Sequence, residues 1–286
     1  MEGDRILKAF KYSTISNPGS IYNEDIAYAS GCFGWVIDGA TGLGKKNLTG
    51  AESDAKWFAE EWHKYLLSAI PDWKLDLKAL VAEGIGQIEE KFFLKTNISI
   101  REVDKLEIPS AAIAIVRFWD DRLEYFALGD CSILIMDDGL TEIIGDERLI
   151  ELDRKALCHM SGFISEGSTF EEARVKVNDM LIEHRLLKNT EQGYWTLEFD
   201  KKAVDNAQYG EIQVREGARL LLMSDGFSAI SDAYRHVGDS ELIELVEKEG
   251  LEHVYDIIRD IENKDAGCMK FPRFKKSDDA SAVFFY

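Results

Sequence analysis

Four short acidic segments hold the side chains best suited to chemistry: Asn23-Glu24-Asp25, Val36-Ile37-Asp38-Gly39, Leu222-Met223-Ser224-Asp225-Gly226 and Ser277-Asp278-Asp279-Ala280. Each lies at the end of, or beside, an apolar run that reads as a buried strand, so each carboxylate is held at the rim of a core. Carboxylates brought together repel one another, and they converge only where a cation offsets the repulsion. Hard cations such as Mg²⁺ and Mn²⁺ prefer carboxylate, carbonyl and water oxygens, which these segments supply without any His or Cys cluster. Two such ions a few ångströms apart share a water, lower its pKa and orient it for in-line attack on phosphorus. Hydrolysis of a phosphoester is the reaction these residues would serve.

In Asp38-Gly39 and Asp225-Gly226 the glycine is expected to permit a tight turn and to leave its carbonyl as a second oxygen ligand. Asp138-Gly139 has the same form but reads as a turn signal alone, because Asp-Gly is the commonest such signal. The five histidines fall mainly in helical or loop stretches, away from the acidic segments, and none enters the site. No Cys or Asp lies in a recognisable nucleophile motif, so direct attack by water is expected, without a phosphoenzyme.

The elements that must position these acids come in the order strands, helices, strands, as in a sheet-on-sheet core flanked by helices. Strands are expected over Ile6 to Thr14, Asp25 to Ala29 and Gly34 to Asp38, broken by Asn17-Pro18-Gly19-Ser20 and by Gly31. Apolar residues at three- and four-residue steps predict amphipathic helices over Ser53 to Ile70 and Leu77 to Leu94. A meander follows in Ala111 to Trp119, Leu123 to Leu128 and Ser132 to Met136. A helical region spans about Thr169 to Leu187 and a surface-like insertion runs to about Asn206. Arg219 to Met223 returns as a strand, Glu241 to Glu249 and Leu251 to Asn263 read as helices, and Ala280 to Tyr286 closes the chain as a strand.

Composition narrows the class. With 286 residues, 45% of them apolar, the chain is long enough for one large layered domain spanning residues 1–286. A net charge of -19 argues against nucleic acid or anionic membrane as partner, since basic patches are needed there. No apolar stretch approaches the ~20 residues of a membrane span and no signal-peptide pattern opens the chain, so a cytoplasmic monomer is expected. The four cysteines have no metal-binding spacing and read as reduced thiols, mostly in the core.

Taken together, the acidic segments resemble the motifs of the metal-dependent protein phosphatases of the PPM (type 2C) family, in a divergent, bacterial-like form. Asn23-Glu24-Asp25 is similar to the first acidic motif, Val36-Ile37-Asp38-Gly39 to the bridging-aspartate motif and Phe126-Ala127-Leu128-Gly129-Asp130 to the central Gly-Asp motif. Leu221-Leu222-Met223-Ser224-Asp225-Gly226 resembles the penultimate motif, and Ser277-Asp278-Asp279-Ala280-Ser281-Ala282-Val283 the closing strand. The resemblance runs from about Ile6 to Tyr286. It implies an α+β fold, a four-layer α-β-β-α sandwich with two central antiparallel sheets. It also implies a protein serine/threonine phosphatase that uses a water bridged by two Mn²⁺ or Mg²⁺ ions, with a phosphoprotein as partner.

Carried over residue by residue, Asp38 would bridge both metals, Gly39 would offer a carbonyl and Glu24 would serve one ion, while Asp225 and Asp278 would serve the other. Asp25 and Asp279 would support from behind, Asp146 would help hold a third, weaker ion, and Asp130 reads as structural. The phosphate-gripping Arg that the family commonly places before the first motif has no counterpart near Ser20. Lys45 and Lys46 are the candidates to supply that charge. Ser110-Ala111-Ala112-Ile113 and the stretch Gly193 to Gly210 also depart from the family pattern. The alternatives are a phosphatase of a small phosphorylated metabolite and a catalytically silent phosphoprotein-binding module.

Overall fold

The computed structural model describes residues 9–40, 42–44 and 46–286. Ten strands, numbered in chain order, form two five-stranded antiparallel sheets among these residues. The first sheet is ordered β1 (Tyr12–Asn17), β10 (Ala280–Phe285), β9 (Arg219–Met223), β6 (Ser132–Asp137) and β7 (Leu140–Ile144). The second is ordered β2 (Asp25–Ser30), β3 (Phe33–Ala40), β4 (Ser110–Trp119), β5 (Arg122–Leu128) and β8 (Gln208–Gln213).

The central strands explain the layering. Every residue of β4 is buried, so it reads as an unbroken apolar run rather than an alternating one. Its Ala112, Ala114, Val116 and Phe118 meet Ile133, Ile135, Leu220, Leu222, Val283 and Phe285 of the other sheet. Its Ala111, Ile113 and Ile115 face outward onto helices α1 (Asp54–Ala69) and α2 (Leu77–Thr96). On the far side, Leu221, Met223, Ala280, Ala282 and Phe284 pack against α7 (Asp225–Asp232), α8 (Asp239–Glu249) and α9 (Leu251–Lys264). The result is the expected four-layer α-β-β-α sandwich. A buried cross-strand pair, Arg117 Nε to Glu124 Oε2 at 2.6 Å, also takes the N–H of Leu77 at 2.7 Å, and so fixes the start of α2 on its sheet.

Several boundaries differ from expectation. The first strand is Tyr12–Asn17 rather than Ile6 to Thr14, and positions 6–8 lie outside the described residues. β7 and β8 emerge in stretches without a strong alternating pattern; both are edge strands with mostly accessible side chains, which weakens the period-two signal. The helical region begins earlier, with α3 (Arg148–Ser165), α4 (Phe170–Lys176) and α5 (Asn178–Leu186), and short α6 (Lys202–Asp205) precedes β8. α3 escapes notice because Ala156 and Met160 are its only fully buried residues, too few to mark a stripe. Asp138 and Gly139 both take positive φ in the β6–β7 turn, as read. The described cysteines are unpaired, and Cys158 is exposed rather than core. Among the described residues, no helix is long and apolar enough to cross a membrane.

Candidate metal centre

The acids gather where strand ends of the two sheets meet. In the second sheet, Asp25 at the start of β2 stands opposite Asp38 near the end of β3. In the first sheet, β9 runs directly into α7, so Asp225 lies in the first turn of that helix, with Ser224 at its N-cap. A carboxylate there is favoured by the N-terminal end of the helix dipole. Asp278 and Asp279 immediately precede β10, the strand paired with β9.

Hydrogen bonds between the sheets hold these ends in register. The Asp279 carboxylate accepts the N–H groups of Gly19 and Glu24, each at 2.7 Å, and so ties the β1–β2 loop and the first acidic motif to the last strand. The Ser224 hydroxyl donates to the Ser281 carbonyl at 3.4 Å and accepts the Ser281 N–H at 3.0 Å, while Oδ2 of Asp25 is buried without a partner. Asp38 and Asp225 lie close enough for each carboxyl to act on the other.

Neither glycine of the Asp-Gly pairs forms the turn that sequence suggests. Gly39 lies inside β3 and Gly226 inside α7, and neither has a positive φ. What each position requires is close approach. A Cβ on Gly39 would stand 2.7 Å from the Glu24 carbonyl oxygen, to which the Gly39 N–H donates at 3.2 Å. A Cβ on Gly226 would overlap the Asp279 carbonyl oxygen.

These contacts make a stability prediction. Asp279→Ala strands two inward N–H groups, and is expected to cost about 1–3 kcal/mol in urea unfolding. Asp279→Asn keeps one of the two acceptor oxygens but sets an amide N–H₂ against the other N–H, so it is expected to recover only part of that loss. A loss below about 0.5 kcal/mol in Asp279→Ala would show that the bonds to Gly19 and Glu24 do not hold the loop.

Electrostatically the cluster is crowded with acids. Burial, reinforced by Asp25, Asp225, Asp130 and Asp278, holds the Asp38 carboxyl well above the usual carboxylate range. Burial likewise raises Asp25, with the nearby Ser224 hydroxyl opposing and Asp279, Asp225 and Asp278 adding to the effect. Asp225 is pushed up to about 7 by burial and by Asp278 and Asp130, although Lys275 pulls the other way. Asp38 is half-buried and Asp225 keeps an open surface, so solvent screens part of this repulsion; its direction follows from the crowding. The same field, added to burial, keeps the Cys131 thiol far from ionising.

Two further acids belong to the cluster. Asp130, read from sequence as structural, is pushed up to about 6 by burial and by Asp153. Asp153 on α3 is pushed up to about 7 by burial and by Asp225, with Arg185 and Arg174 opposing. Sequence reasoning missed Asp153, yet a signal exists: it lies three and seven residues before Ala156 and Met160, on the buried face of its helix.

Asp146 is engaged within its own turn. Its carboxylate is occupied by Arg148, which donates its N–H and its Nε to Oδ1, each at 2.9 Å. Lys46 is exposed on the β3–α1 loop, where its N–H donates to Glu107 at 3.3 Å; Lys45 lies outside the described residues. Among the described residues, Lys275 pairs directly with one of the acids, its Nζ 2.7 Å from Asp278 Oδ1.

Among the described residues, no three Asp, Glu, His or Cys side chains already enclose one point as metal ligands would. Asp278 is paired instead with the Lys275 ammonium. The chemistry of the acids nevertheless fits a hard cation: every donor is oxygen, the buried Oδ2 of Asp25 lacks a partner, and the raised carboxyls mark a place where added positive charge is favoured.

No protein-family model matches the chain, and no curated protein sequence does either. Solved structures do. The Mycobacterium tuberculosis serine/threonine phosphatase PstP/Ppp is 17% identical, with 97% of this chain and 98% of that chain covered and a TM-score of 0.58. The catalytic domain of PstP is also solved in complex with two manganese ions. The PPM Ser-Thr phosphatase MsPP from Mycobacterium smegmatis is 16% identical, covering 97% of this chain and 98% of that one at a TM-score of 0.56. Stp1 from Staphylococcus aureus is 14% identical, covering 100% and 98% at a TM-score of 0.57. Over essentially its whole length, then, this chain has the fold of the PPM serine/threonine phosphatases.

Proposed function

We propose that this chain is a metal-dependent phosphoester hydrolase acting on phosphoserine or phosphothreonine in proteins. The observation that carries the reading is the meeting of Asp25, Asp38, Asp225 and Asp278 at one end of the sandwich, with a buried carboxylate oxygen left unpartnered. A fold needs no such cluster, because mutually repelling acids oppose folding unless a ligand repays the cost. The two manganese ions in the PstP complex support a binuclear centre on this fold.

In this reading Asp38 bridges two ions, Glu24 and the Gly39 carbonyl serve one of them, and Asp225 and Asp278 serve the other. Asp25 and Asp279 set the positions of these groups from behind. A third, weaker ion would be held by Asp130 and Asp153 with Asp225, in place of the Asp146 seat suggested by sequence. Two divalent ions, when bound, supply an activated water and a charge sink for in-line displacement at phosphorus.

Turnover of p-nitrophenyl phosphate and of phosphoserine and phosphothreonine peptides is expected in Mn²⁺ or Mg²⁺, to vanish in EDTA and to return on adding metal. Hydrolysis of nucleotides or sugar phosphates but of no phosphopeptide would replace the protein substrate with a metabolite. Absence of turnover with every substrate and both metals would contradict the enzymatic reading.

A further inference from the structure

We propose that Lys275 is the substrate-phosphate residue of this site: its ammonium exchanges Asp278 for the phosphoryl oxygens of the incoming phosphoester. The proposal rests on the phosphatase reading, and it assigns the positive charge to a different loop from Lys45 and Lys46.

Position is the first argument. Lys275 Nζ donates to Asp278 Oδ1 at 2.7 Å, and 63% of the lysine side chain remains accessible, so the ammonium reaches the acids from their solvent side. An ion pair this exposed is weakly held and readily exchanged.

The second argument is the loop that presents it. Asp265 accepts the N–H groups of Met269, Lys270 and Phe271 between 2.9 and 3.0 Å, and the Arg273 guanidinium at 2.8 Å. Arg273 in turn donates to the carbonyls of Phe271, Asp265 and Lys276. Phe274 packs among the α3–α5 cluster with Arg174 over its ring, and the Lys275 carbonyl accepts from the Cys268 thiol at 3.8 Å. The backbone on both sides of Lys275 is therefore fixed while its side chain is left to move.

The arginines that border Asp278 and its loop are committed elsewhere, and Arg185 acts on Asp130 and Asp153. Arg259 donates to the Asp278 carbonyl and to Glu262, each at 2.6 Å, Arg273 is spent on its own loop, and Arg148 is paired with Asp146. A phosphoryl group entering above several carboxylates needs a cation to offset their field, and a lysine ammonium, a compact charge with three donors, serves as a phosphate binder.

The test is calorimetric titration of inorganic phosphate into the Mn²⁺-loaded wild type, Lys275→Met, Lys275→Arg and Lys276→Met, with Mn²⁺ titration and p-nitrophenyl phosphate turnover run alongside. Lys275→Met is expected to weaken phosphate binding by about 10- to 100-fold, the range of a lost charge-assisted hydrogen bond. It is also expected to keep the wild-type number of Mn²⁺ ions, bound no more weakly than in wild type. Lys275→Arg is expected to stay within about threefold of wild type, and Lys276→Met, which removes the same charge one residue further on, within about twofold. Phosphate binding in Lys275→Met within twofold of wild type would overturn the proposal, as would loss of Mn²⁺ binding in that variant. Wild-type turnover reports separately: phosphate binding that depends on Lys275 in a protein without turnover would leave this assignment standing and remove the enzymatic one.

Discussion

Asp38→Ala is expected to lower Mn²⁺-dependent turnover of p-nitrophenyl phosphate by more than about 100-fold, since loss of even an outer-shell partner costs roughly 10- to 100-fold at metal sites. The same substitution is expected to leave the metal-free protein at least as stable as wild type at pH 8. The two effects have opposite signs for one physical reason. Burial and four neighbouring acids raise the Asp38 carboxyl well above its ordinary value, so ionising it at neutral pH opposes folding. Alanine removes that repulsion together with the bridging ligand. Urea unfolding of the EDTA-treated proteins, paired with turnover in Mn²⁺, checks both halves. A variant that is inactive only because it is unfolded, or one that retains wild-type turnover, would contradict the role given to Asp38.

The second large effect links metal, pH and stability. Asp130 is raised to about 6 and Asp153 and Asp225 to about 7, so the folded chain binds more protons than the unfolded chain from about pH 4 upward. For groups with raised values, ionisation costs stability as pH climbs from the unfolded value to the folded one. Metal-free protein is therefore expected to lose stability between about pH 5.5 and 8 through these groups. Mn²⁺ reverses the sign, because it binds the ionised carboxyls of the folded chain and protons compete with it. At about 100 times its dissociation constant a ligand contributes about 2.7 kcal/mol. For a chain of 286 residues that corresponds to a rise in Tm of about 4–5 °C, larger at pH 8 than at pH 5.5. Scanning calorimetry at both pH values, with and without Mn²⁺, reads it directly. A Tm indifferent to Mn²⁺, or a larger gain at the lower pH, would oppose a metal centre built from these acids.

Much of this site is legible in the sequence because strands with both faces buried are apolar throughout, and an acid at the end of such a run stands out. Asp38 after Trp35-Val36-Ile37, Asp225 after Leu220-Leu221-Leu222-Met223 and Asp278 before Ala280 are found that way, and the structure brings them together. The same logic fails at the edges. β7 and β8 each pair on one side only and keep many accessible residues, so their composition resembles that of loops.

Side-chain partners are harder still. Asp146 sits in an acidic turn next to a metal-like motif, but Arg148 two residues on takes its carboxylate. Asp153 is invisible until α3 is folded and its buried face defined. Lys45-Lys46 and Lys275-Lys276 are equivalent as sequence, two lysine pairs each near an acidic segment. Only the tie of the 265–276 loop to Asp265 and the pairing of Lys275 with Asp278 separate them. The Asp-Gly pairs show the converse: the residues are where expected, but their glycines serve close approach of the Glu24 and Asp279 carbonyls instead of a turn.

The most direct measurement is anomalous diffraction at the manganese edge from crystals grown with Mn²⁺. The account predicts two strong peaks about 3.5–4 Å apart, with the Asp38 carboxylate between them, Glu24 beside one and Asp225 and Asp278 beside the other. Peaks at other surface acids, or none at this end of the sandwich in protein that is otherwise folded as described, would contradict it.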